Sequence, residues 1–415
     1  MATTDSTSTQ AAADRSDLEA FRASLRAWLE ANVPKGRGPW NQSGTPENRA
    51  FRVALYDAGF FGLTWPKEYG GQGLTAEHQR VFNEEMARYP DVPVGELVTV
   101  GICAPTLLDF GSEEQKRRHI PRMLRGDETW TQLLSEPGAG SDLAGLQTRA
   151  VRDGDQWVVN GQKVWTSGAH LSQFGILIAR TNPEVPKHSG LSMFIVDFSL
   201  PGITVRPLRQ MTGEAHFNEV FLDDVHLPLD ALVGAENDGW RALTRMLMHE
   251  RVAIGAGTGG SRMGRDMFGD LLALARKRGV DQLPAVREAL VDLYTKEKLL
   301  AWMGQRMRAE AAAGKPPGPE GSLAKLANAI LSRTATSLGM LIGGPGAQAW
   351  EPEDPEGGDL AHQVTFSPMT GIAGGTSEIQ RNTIGERVLG LPKEPQTDRN
   401  IPFKDVPQAS VASRG

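Results

Sequence analysis

Apolar positions follow three successive periods along the chain. Leu18, Phe21, Leu25, Trp28 and Leu29 recur every three or four residues, which puts one stripe on a helix, and Ser16 with Glu19 has the separation of a capping box that would open it. Thr45-Pro46 opens a second helix with a capping hydroxyl and a proline at its first position, and Gly59 can close it in the left-handed conformation. Ser112 with Gln115 starts another. Up to about Gly126 the chain therefore reads as helices joined by short connections, the longest being the glycine-rich stretch 60–73.

From about Thr129 the period becomes two. Short alternating runs at 148–152, 156–160 and 162–166 are broken by Asp153-Gly154 and Asn160-Gly161, pairs that accept the positive φ of tight hairpin turns. Further β-branched or aromatic runs follow at 174–179, 191–196, 203–205 and 219–225, with no helix between them, so the expectation is a compact antiparallel β domain. The helical period returns from Trp240 through 242–254, 286–310 and 322–342. A breaker lies at 314–321 and an acidic, solvated loop at 351–359. The organisation expected is a disordered tail (1–16), a helical N-terminal domain (17–128), a middle antiparallel β domain (129–240), a helical bundle (241–392) and a second tail (393–415), an α+β multidomain chain.

Composition narrows the function classes. The 415 residues carry 44 Lys+Arg against 50 Asp+Glu, a net charge of -6 with both signs interspersed, so no basic field attracts nucleic acid. A lone cysteine, Cys103, can form neither an intrachain disulfide nor a cysteine-rich metal site and fits a reducing compartment. The N-terminus lacks both the basic and the apolar regions of a signal peptide, and Asp5, Asp14 and Asp17 against Arg15 argue against a transit peptide. No apolar run is long enough for a membrane span, which leads to the expectation of a cytoplasmic protein. The histidines show no metal-ligand spacing, and no metal is expected. Gly255, Gly257 and Gly260 match G-x-G-x-x-G, but a helical stripe rather than a buried strand precedes them, and close packing of helices is the plainer reading.

Three strings stand apart. LLSEPGAGSD (133–142) joins the helices to the first strands, and its small residues allow backbone N–H groups to approach an anion or a planar ligand edge. NGQKVWTSGA (160–169) sets Trp165 beside Thr166 and Ser167 near a strand end, where an aromatic is ordinarily core. GIAGGTSEIQRNTIGERVLGLP (371–392) combines a glycine pair with a helix start. In this order, within a helical, β, helical chain, the strings resemble the acyl-CoA dehydrogenase family over about residues 17–392.

The resemblance implies a C-terminal four-helix bundle, with FAD held between it and the β domain across a subunit interface. It also implies FAD-dependent α,β-desaturation of an acyl-CoA thioester, with an electron-transfer flavoprotein or similar acceptor. Carried onto this chain, it places Leu134 and Ser135 at the flavin ring and Trp165 and Ser167 against its other parts. Ser141 falls where flavin phosphate or the thioester arm is contacted, Thr376 and Glu378 near the adenine-dinucleotide half, and Arg251 near the coenzyme A chain. Many relatives carry the base directly before the Gly-Thr of the third string, a position held here by Gly374, whose backbone N–H is left to stabilise the substrate enolate. A subgroup resembling the branched-chain and long-chain enzymes carries it before an arginine on the first bundle helix, which points to Glu250. Without the resemblance, Glu250 would read as a surface carboxylate pairing with Arg245 or Arg251. Met246, Met248 and His249 are candidates to line the acyl pocket.

Two departures bear on assembly. No Phe-Gly pair follows an arginine around 275–283, and Met340 stands where the family has glutamine before the bundle's Gly-Gly turn. Both missing groups would serve a neighbouring subunit's flavin. An α2β2 heterotetramer, with this chain as the base-bearing subunit, is therefore expected beside a homotetramer. A non-catalytic partner subunit and a flavin monooxygenase or oxidase on the same scaffold are the alternative readings.

Overall fold

The structure, a computed structural model, describes residues 4–36, 45–89, 91–92, 94, 96–255, 266–313, 318–349, 355–393, 395 and 398–406. Helix α1 (Thr4–Asn32) starts well before Ser16, within the stretch expected to be a tail. The run from Thr4 to Asn32 contains neither glycine nor proline and includes Ala11, Ala12 and Ala13, so local propensity carries the helix backwards from its apolar stripe. α2 (Pro46–Asp57) begins as expected, with the Thr45 side chain accepting from Asn48 N at 3.2 Å. α3 (Ala76–Met86) packs beside α1 and α2, where Leu25, Leu29, Phe51, Leu55 and Phe82 share one core. A π-helical turn (Thr99–Cys103) leads into α4 (Ala104–Phe110), and α5 (Glu113–Arg125) starts on the reciprocal Ser112–Gln115 capping box.

One eight-stranded sheet follows: β1 (Trp130–Leu133), β2 (Arg149–Asp153), β3 (Gln156–Ser167), β4 (Phe174–Arg180), β5 (Leu191–Asp197), β6 (Ile203–Leu208), β7 (Phe217–Pro228) and β8 (Leu232–Val233). Its order is β6-β7-β3-β2-β4-β5-β8, with β1 beside β4. The sheet is mixed, not purely antiparallel: β1 pairs with β4 in parallel and β2 touches β4 in parallel at Arg149 and Arg180. Asp153-Gly154 makes the expected β2–β3 turn. Asn160-Gly161 does not. β3 continues through it with a register slip against β7 between Val159 and Gly161, because long pairing with β7 outweighs local turn preference and the Asn160 side chain is engaged by Asp224. A Cβ on Gly161 would stand 2.3 Å from Thr148 Oγ1, so only glycine fits this crossing.

The C-terminal part holds α6 (Gly239–Gly255), α7 (Met267–Lys277), α8 (Pro284–Ala312), α9 (Gly321–Gly343), α10 (Pro355–Thr370) and α11 (Ser377–Thr383). α9 is central, packed against α7, α8, α10, α11 and α6. α10 begins inside the stretch expected to be an acidic loop; its Gly357, Gly358 and Pro368 mask its apolar period. Gly255 ends α6, while Gly257 and Gly260 lie outside the described residues. The expected C-terminal tail is partly docked: Pro402 bridges Pro186, and Phe403 is buried beside the β4–β5 loop. A proline and an aromatic supply the apolar surface that a solvated tail lacks.

Candidate active site

The largest core cluster joins three parts of the chain: Ile102, Leu107 and Ile120 from the N-terminal helices, Trp130, Ile176 and Met193 from the sheet, and Ala242, Leu243 and Met246 from α6. Gly239 lets α6 start flush on β5, since a Cβ there would lie 2.6 Å from Ser192 Cα. With its first turn so fixed, α6 buries Leu243, Met246 and Ala253. Glu250 is four residues beyond Met246 and three before Ala253, so it stands on the buried stripe rather than the solvent face.

Burial holds the Glu250 carboxyl above the ordinary carboxylate range, against smaller opposing influences of the Gln132 amide and the charges of Arg251 and Lys325. Gln132 faces it from β1. Its Nε2 is buried and makes no hydrogen bond of ordinary length and angle. Lys325 comes from the first turns of α9, donates to Thr370 O at 2.6 Å and lies within the electrostatic reach of Glu250. Arg245 does not pair with Glu250: its Nε donates to Asp109 at 2.7 Å, and His249 Nε2 lies 2.8 Å from the same carboxylate oxygen. Met246 is fully buried in the core, not exposed to a pocket.

β1 and β3 build a wall beside this carboxylate. Leu134 packs on the core that holds α6, whereas Leu133, one residue earlier, packs on the opposite sheet face. Val164 N donates to Ser135 O at 2.9 Å and Thr131 Oγ1 to Ser167 O at 2.7 Å, so Leu134, Ser135, Trp165 and Ser167 are brought together. The β3–β7 register slips between Lys163 and Thr166, and Trp165 adopts φ 61°. This irregularity turns the indole outward: Trp165 is 60 % exposed, not a core aromatic. Beneath it Thr166 Oγ1 is buried without a partner. Among the described residues the hydroxyls of Ser135, Ser141 and Ser167 likewise have none.

Lys163 supports the same wall from within the sheet. It is fully buried and donates to Leu134 O at 2.9 Å and Glu136 Oε1 at 2.8 Å, while the Glu136 carboxylate also accepts from the N–H groups of Gln147 and Thr148. The chain at 133–136 is thereby fixed from below. A polar residue on the inward face of a strand is the signal that marks it.

The third string is placed by Lys325 through Thr370 O. Gly374 and Gly375 take φ 66° and 88°, Gly374 O accepts from Gln380 Nε2 at 3.0 Å, and the Gly374 N–H has no acceptor among the described residues. Thr376 caps α11, accepting from Ile379 N, and exposed Glu378 pairs with Arg381. Among the described residues no hydrogen bond or ion pair joins Thr376 or Glu378 to Ser135 or Trp165, and Ser141 and Arg251 are exposed. No three potential metal ligands gather among the described residues.

The chain thus offers a half-buried carboxyl at Glu250 facing Gln132, open hydroxyls at Ser135 and Ser167 on the β1–β3 wall, and a backbone N–H at Gly374 without an acceptor among the described residues. Models of the acyl-CoA dehydrogenase N-terminal, middle and C-terminal domains match residues 15–127, 131–225 and 237–389. The chain is 40 % identical over 400 residues to acyl-CoA dehydrogenase IpdE1 of Mycobacterium tuberculosis, spanning 91 % of this chain and 99 % of that one. It is 35 % identical to acyl-CoA dehydrogenase FadE29 of the same organism, over 85 % and 90 % of the two chains. Among solved structures it is similar to the Tcur3481-Tcur3483 steroid ACAD (TM-score 0.75, 33 % identity, 91 % and 98 % covered). It is also similar to the ChsE4-ChsE5 complex from Mycobacterium tuberculosis (TM-score 0.73, 32 % identity, 91 % and 98 % covered). This chain belongs to the acyl-CoA dehydrogenase family. It is accordingly an acyl-CoA dehydrogenase, an oxidoreductase, in a family that binds FAD. Among the described residues no helix is long and apolar enough to cross a membrane.

Proposed function

We propose that Glu250 is the base that takes the α-proton of an acyl-CoA thioester. The observation that carries this reading is its place on the buried stripe of α6, where burial raises the carboxyl pKa toward working pH and makes it a stronger base once ionised. Gly374 brings no second carboxylate; its free N–H is suited to the developing enolate oxygen, and at such positions a fixed donor is worth more than in water. In this reading Ser141 and Arg251, both exposed, contact the coenzyme A arm.

FAD fits the wall that β1 and β3 present. Partnerless hydroxyls at Ser135 and Ser167 and the exposed Trp165 indole supply polar edge contacts and an aromatic surface that the chain itself leaves unused. Leu134, Ser135, Trp165 and Ser167 would hold the ring, and Thr376 and Glu378 the dinucleotide half of a flavin. FAD, when bound, supplies the acceptor for the β-hydrogen as hydride. An electron-transfer flavoprotein is the acceptor in this reading. The test is anaerobic flavin bleaching of the purified holoprotein by a panel of acyl-CoAs that includes steroid side-chain thioesters, chosen because a solved relative is described as a steroid ACAD. Bleaching that persists at the wild-type rate in Glu250→Gln overturns the assignment.

A heteromeric assembly is favoured by a specific observation. Arg278 and Gly279 are followed by Val280 rather than a Phe-Gly pair, Met340 replaces a glutamine, and a solved relative is a two-component complex. In this reading the chain bears the base and a different chain completes its flavin site.

A further inference from the structure

We propose that the segment 398–406 is a strap that holds the 136–146 loop in the conformation that receives the coenzyme A arm; this rests on the reading of Ser141 above. The strap pairs by its backbone with the β4–β5 loop: Phe403 N donates to Val185 O at 2.9 Å and Lys404 N to Pro183 O at 3.0 Å, and Lys404 forms an ion pair with Glu184. These contacts place two side chains over the links to the Ser141 loop.

The first link is Arg180. Its guanidinium is buried, and every bond it makes is to backbone: Nη2 to Ala144 O at 2.6 Å, Nε and Nη2 to Leu146 O at 3.2 Å, and Nη1 to Lys187 O at 3.1 Å. The Phe403 ring covers one face of it, 3.4 Å from the guanidinium carbon. A cation tied to carbonyls holds them only while water is kept away, and Phe403 excludes water from that face. Burial lowers the Arg180 pKa to about 10, consistent with this dry setting. The second link is Lys187, whose Nζ bridges Asp142 on the loop at 2.9 Å and Asp398 on the strap at 2.6 Å. Both routes end within five residues of Ser141.

The strap is tested on the full-length holoprotein with Phe403→Ala and Asp398→Asn, singly and together, Asp398→Asn being a charge change that keeps the shape. Backbone amide exchange over residues 136–148 is expected to speed up about tenfold in the double variant while α6 is unchanged. The affinity for free coenzyme A, measured by titration calorimetry, is expected to fall about fivefold because less of the protein has the competent loop. Unaltered exchange in that loop overturns the strap; faster exchange with unaltered coenzyme A affinity overturns its role in binding. Glu250→Gln is measured alongside: turnover that survives it defeats the base assignment and leaves the strap standing.

Discussion

Glu250 occupies a helix position that packing would give to leucine, and its cost and its use have the same origin. A carboxyl whose folded pKa is raised binds more protons in the folded than in the unfolded state, so stability falls as pH climbs from the ordinary value of 4.5 to the raised one and stays low above it. Glu250→Gln should therefore melt higher than the wild type at pH 8 and no higher at pH 4, with thermal unfolding as the measurement. The same variant should lose on the order of 10² to 10⁴ in the rate of flavin bleaching. In the wild type kcat/KM should fall tenfold per pH unit below the raised pKa, since only the ionised base acts. Lys163 makes the opposite case. Cutting it to Met leaves Glu136 buried and unpaired at a cost of about 3–5 kcal/mol, whereas Lys163→Met with Glu136→Leu should recover most of it; chemical denaturation of the two variants decides. As the proposed base, Glu250 is legible in the sequence only through the Glu-Arg pair and the missing carboxylate at Gly374. Gln132 and Lys325 are not, because their importance lies in what other elements bring against them, whereas Lys163 carries a signal of its own, a charge at an inward strand position.

Elements whose boundaries are set by a few local atoms were the ones read correctly. Thr45, Pro46 and Gly59 delimit α2 and the Ser112–Gln115 box opens α5, because capping needs only the backbone of the next turn. Ser112→Ala should accordingly cost about 1 kcal/mol, read as a shift in the denaturation midpoint. Asn160-Gly161 shows the limit of such signals: the same kind of pair makes a turn at Asp153-Gly154 and none here, since β7 continues to pair along β3. The start of α1, the parallel pairing of β1 and the existence of α10 were illegible for related reasons. Each depends on a partner distant in sequence, or on propensity extending past the last apolar contact. Trp165 is the most instructive residue of this kind, a strand aromatic re-aimed into the open by a bulge that no local pattern announces.

At the scale of the whole molecule the bundle carries more apolar surface than a lone subunit accounts for. Val291, Tyr294 and Trp302 are exposed along one face of α8, and Ile330 and Leu341 are exposed on neighbouring α9, where with Thr334 and Ser337 they line a groove of about 500 Å³. Exposed apolar side chains in such number on two neighbouring helices suit an interaction surface. Trp302, 60 % exposed, is the largest side chain on it, and large aromatics tend to dominate interface energy. Trp302→Glu should shift the oligomer seen by light scattering toward smaller species while leaving the far-ultraviolet spectrum intact. The heteromeric reading makes a separate demand on flavin content. If the groups missing near Arg278 and at Met340 are lent by another chain, this chain purified alone should hold well under one FAD per subunit, and co-expression with that partner should restore it. A homotetramer with one tightly held FAD per chain would exclude that reading without touching Glu250, because the proposal for the base rests on α6 of this chain alone, whichever chain completes the flavin site.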